Sequence, residues 1–69
     1  MNAYELNRFE HLVQQKSGAR YDETNELAKR AMLAAGKHGE WLRQSILRAG
    51  PDVAAAAWIS LANSMRPQA

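Results

Sequence analysis

Gly50-Pro51-Asp52-Val53-Ala54-Ala55-Ala56-Ala57-Trp58-Ile59-Ser60-Leu61-Ala62-Asn63-Ser64-Met65 is the stretch on which the fold turns. Proline, which lacks an N–H, suits a first-turn position, and Asp52 behind it complements the positive end of a helix dipole. Ala54, Trp58, Leu61 and Met65 then follow a 4-3-4 spacing, the seam geometry of packed helices. Ala55, Ile59 and Ala62 line a second side, so the apolar arc spans roughly 240°, whereas an outer helix needs little more than ~100°. Either this helix lies at the centre of a compact monomer, or one side packs on the core and the other on a second molecule. With so little chain to wrap a central helix, a homodimer through Ala55, Trp58, Ile59 and Ala62 is the preferred expectation.

The remaining punctuation divides the chain into helices. Ser17-Gly18 closes a first stretch, Gly36-Lys37-His38-Gly39 a second, Gly50-Pro51 a third and Arg66-Pro67 the fourth. β-Branched residues are scattered, and Ala, Leu, Glu, Gln, Lys and Arg dominate. The expected class is all-α: three to four short helices at about 3–16, 22–35, 39–48 and 51–65, in a single domain over residues 1–69.

The first helix has one apolar stripe of Leu6, Phe9, Leu12 and Val13. The second, with Asp22 as its expected N-cap, carries Leu27, Ala28, Ala31, Met32, Ala34 and Ala35, mostly small residues that permit close helix approach. Trp41, Leu42, Ser45 and Ile46 make the expected inner side of the third. The predicted core is Leu27, Met32, Trp41, Leu42, Ile46, Trp58 and Leu61. Leu33 and Leu47 fall off these faces.

Composition limits function. The 69 residues include no cysteine, which excludes disulfides, thiolate metal sites and a cysteine nucleophile. Nine Lys+Arg against seven Asp+Glu leave a net charge of +2, a mild excess without a basic block. The first residues are polar from the start, and the longest apolar run is about half a membrane span, so a cytoplasmic location is expected. His11 and His38 have no further His or Cys to complete a metal set, and no serine stands in a nucleophile-elbow context. No enzyme activity, metal or cofactor is expected.

Two binding functions remain. The first is a protein-binding module that modulates or inhibits a larger cytoplasmic protein, such as a regulator. Its expected contacts are Arg20, Tyr21, Arg43, Leu47 and Arg48, because Tyr and Arg are enriched where binding energy concentrates. The second is a dimeric helix-turn-helix regulator of transcription, turning at Gly36 and presenting Arg43, Gln44 and Arg48 to DNA. That motif fits in part. Met32 stands where a small residue is usual, Ser45 where an apolar one is, and Gly39 adds a second glycine that loosens the corner. In size and in its Ala/Arg/Gln-rich texture, the chain resembles small accessory proteins of bacteria and their phages, a likeness that favours the first function.

Overall fold

The computed structural model describes residues 1–67, and every regular element among them is helical. Helix α1 runs Ala3–Ser17, a short 3-10 turn occupies Gly18–Arg20, and α2 (Tyr21–Ala34), α3 (Lys37–Arg48) and α4 (Pro51–Ser64) follow. No helix among the described residues is long and apolar enough to cross a membrane.

Each helix starts for a local reason. Asn2 caps α1: its side chain accepts from the Glu5 N–H at 2.8 Å, and the Glu5 carboxylate accepts from the Asn2 N–H at 3.4 Å. This reciprocal box satisfies two backbone donors that a helix start otherwise leaves open. Asp22 does not cap α2. The 3-10 turn runs straight into that helix, Arg20 takes the cap position without a side-chain bond, and Asp22 and Glu23 lie in the first turn. At α4, Gly50 turns at φ 90° and Pro51 opens the helix, as the dipeptide predicts.

Helix α3 begins two residues earlier than the glycines suggest. Only Ala35 and Gly36 separate it from α2, and Gly36 makes the turn at φ 59°. Gly39 lies within α3, buried, where a Cβ would collide with the Met32 carbonyl oxygen and stand 3.2 Å from the Ala35 Cβ. The second glycine therefore tightens the corner by letting two backbones touch, and the loose corner read from sequence is corrected.

Helix α4 is the centre of the molecule. It packs chiefly on α2 and α1 and less extensively on α3. Ala54, Ala55 and Ala62 are wholly buried, as is Ala28 of α2, and Val13 of α1, Thr24 and Ile46 are buried with them. The wide apolar arc is thus absorbed largely within one chain, with the outer side of α4 formed by Val53, Ala56, Ser60 and Asn63. Of the four residues expected at a dimer contact, Ala55 and Ala62 are enclosed by the chain's own helices, and Trp58 and Ile59 are half-buried.

Trp58 is fastened as well as packed. Its indole Nε1–H donates to Asn25 Oδ1 at 2.9 Å, and its ring meets Phe9 edge-on with centroids 6.0 Å apart. Beyond the end of α4, Arg66 reaches back to α2. Its Nη2 donates to the buried Thr24 hydroxyl at 2.8 Å, and its Nη1 lies 3.6 Å from Glu23. An exposed Arg8–Asp52 pair at 3.1 Å joins α1 to the start of α4.

The predicted core needs one clear correction. Ile46 is buried, and Leu27, Met32, Leu42, Trp58 and Leu61 are half-buried, but Trp41 is 61% exposed. The inner side of α3 is centred on Gly39, Leu42 and Ile46. Trp41, two residues beyond Gly39, stands roughly 160° away around the helix. Leu6, expected in the buried stripe of α1, is also exposed.

The four helices form a slab. Its Cα atoms span 36 × 31 × 14 Å, and the short dimension is that of two helix layers, whose axes pack ~8–10 Å apart with Cα atoms ~2.3 Å from each axis.

Candidate partner-binding surface at the α2–α3 corner

The end of α2 and the start of α3 leave large apolar side chains in water. Leu33 is 81% exposed and Trp41 is 61% exposed, with the Trp41 ring stacked on His38 at 5.7 Å between centroids. Leu47, further along α3, is also exposed. Ser45, on the half-buried side, satisfies its hydroxyl locally by donating to the Trp41 carbonyl at 3.0 Å.

Charge is unevenly distributed in the same direction. Residues 27–49 hold five cations (Lys29, Arg30, Lys37, Arg43 and Arg48) and one carboxylate, Glu40. Residues 1–26 hold three cations against five carboxylates, while Asp52 and Arg66 cancel in the remainder. The mild net charge therefore conceals a +4 region beside a −2 region. Both salt bridges among the described residues, Arg8–Asp52 and Arg66–Glu23, involve cations outside the basic segment.

Arg43 lines two hollows. One is a shallow groove with Met32, Leu33, Gly36, Gly39 and Glu40. The other is a more enclosed, almost wholly apolar hollow of about 150 Å³, where Arg43, Ile46 and Leu47 of α3 meet Met1, Phe9, Met32 and Trp58. A larger hollow along α1, bounded by Tyr4, Arg8, Glu10 and His11 among others, is an open furrow on one helix. Among the described residues no group of three or more His, Asp or Glu could share a metal ion.

The residues expected to bind a partner divide into two places. Arg43 and Leu47 share the apolar hollow, and Arg48 is exposed on another side of α3. Gln44, offered to DNA under the second reading, is likewise exposed. Arg20 and Tyr21 stand at the opposite end of α2, Tyr21 half-buried, and line neither hollow that Arg43 lines. Sequence reasoning missed Trp41 as a surface residue by assigning it to the core. The signal that could have found it is Gly39: if the glycine marks a close helix contact, the residue two positions on faces away.

The chain matches no protein-family model, no curated protein and no solved structure in comparisons with each.

Proposed function

We propose that this protein is a non-catalytic binding module that docks the α2–α3 corner on an acidic, partly apolar surface of a larger protein and modulates that protein by occupying the surface. The observation that carries this reading is the exposure of Leu33 and Trp41 within a segment of net charge +4. Covering a large apolar side chain contributes on the order of 1.5–3 kcal/mol, and Trp, Tyr and Arg supply most interface hot spots. Lys37, Arg43 and Arg48 would steer encounter with an acidic partner and align it. Self-association through α4 would use Val53, Trp58, Ile59 and Leu61, the larger apolar residues of that helix left partly open.

A second reading, a helix-turn-helix regulator, is supported by the two-residue corner at Gly36 and the exposure of Arg43, Gln44 and Arg48. Glu40 and the bulky Trp41 on α3 count against close approach to phosphates.

Paired affinity capture from nuclease-treated lysate of the source cells, read for protein, and from untreated lysate, read for DNA, separates the two. The tagged protein should recover one protein near 1:1, and Leu33→Ser with Trp41→Ser should lose it. Retention of DNA instead, falling steeply with salt and abolished by Arg43→Gln with Arg48→Gln, would favour the regulator.

A further inference from the structure

We propose that the hollow beneath Arg43 is a side-chain pocket that receives one apolar group of about benzene size from an acidic partner segment, with a neighbouring carboxylate of that segment paired to the Arg43 guanidinium. This rests on the protein-binding reading above and names the chemistry it would recognise.

All four helices converge on this hollow: Phe9 from α1, Met32 from α2, Ile46 and Leu47 from α3, and Trp58 from α4. Its volume of about 150 Å³ and apolar lining match the scale at which a protein cavity accepts benzene. The lining is also adaptable. Met1 and Met32 are unbranched and polarizable, so they can re-pack around an entering group. The ring of Trp58, held by its bond to Asn25 and its edge contact with Phe9, supplies a fixed wall.

Charge selects the occupant. Arg43 is the one charged side chain in the lining, and it has no carboxylate partner among the described residues. Lys37 and Arg48 stand on the same helix. A guanidinium on a residue that lines an apolar hollow favours a ligand that combines an apolar side chain with an adjacent anion, as in a Phe-Glu or Leu-Asp pair. A neutral apolar group would fill the space without using the charge.

The test is an NMR titration of the whole, isotope-labelled chain with 3-phenylpropionate and, separately, its neutral amide. Saturable shifts should concentrate on Phe9, Met32, Ile46, Leu47 and the Trp58 indole N–H. The carboxylate should bind about 1.5–5-fold more tightly than the amide, the range of an exposed ion pair. That difference should vanish in Arg43→Gln and shrink as salt is raised in the unmodified chain, so the result does not depend on one variant. Leu47→Ala should weaken both probes. No saturable shift at the hollow, or a carboxylate preference unchanged by both Arg43→Gln and salt, overturns the proposal. The parent reading fails differently. Probe binding here with no protein captured removes the binding-module function and leaves the pocket. Capture that depends on Leu33 and Trp41, with no probe in the hollow, removes the pocket and leaves the module.

Discussion

Helices α3 and α4 both carry a tryptophan and several large aliphatic residues, yet they sit in the molecule in opposite ways. In α4 the deepest positions are alanines, and Trp58 is drawn in beside them with its N–H satisfied. In α3 the deepest positions are Gly39 and Ile46, and Trp41 is turned out to solvent. The difference teaches that contact in this chain is decided by where backbones can approach. Small residues choose the buried face, and large ones fill whatever space that choice leaves.

Truncating the two tryptophans in parallel should give the largest contrast between the two helices. Trp58→Ala should lose about 3 kcal/mol, by the usual range for an aromatic truncation and because Asn25 is left without its donor. Trp41→Ala should change stability by less than about 0.5 kcal/mol, as for an ordinary surface residue. Urea denaturation of both variants measures the contrast. Equal losses would show that α3 buries its tryptophan in solution.

Next in size is Gly39→Ala. The added methyl meets the Met32 carbonyl and forces α3 away from α2, with an expected loss of about 2 kcal/mol despite the better helix propensity of alanine. Each lost kcal/mol should lower the thermal midpoint by roughly 4–8 °C in a domain of this size. A midpoint that rose would mean that the corner is looser than described.

Smaller again is Asn2→Ala, which removes the box at the start of α1 and should cost about 1 kcal/mol. Hydrogen exchange at the first turn of α1 would detect the fraying directly. Least of all, a double-mutant cycle on Arg8 and Asp52 should return about 0.5 kcal/mol or less, because both side chains are well exposed. A larger coupling would mean that the contact between α1 and α4 depends on charge as well as on packing.

Much of the architecture was readable from punctuation and periodicity. The glycines and prolines divide the chain into its four helices, and the small residues of α2 and α4 forecast close packing. The cap at Asn2, with glutamate three residues on, was also legible and was overlooked. The Arg66 latch onto Thr24 and Glu23 was not legible, because it joins residues more than forty positions apart and leaves no local pattern. For the candidate site, Leu33 and Leu47 stood out as apolar residues away from their helix faces. Trp41 was hidden because helix periodicity alone does not say which part of a broad arc meets the neighbour. The pocket under Arg43 draws residues from every helix, so only their three-dimensional convergence reveals it.

The wholly buried alanines at 28, 54, 55 and 62, with Gly39 at the corner, also set how this gene can drift. Apart from the change to glycine, every missense change of a single base in an alanine codon adds at least one heavy atom. From a glycine codon, every such change adds a Cβ. The fold therefore has a ceiling on residue size along its central seam, and point mutation pushes against it almost every time. The outer residues of α3 face no such ceiling, and variation in this protein should collect there.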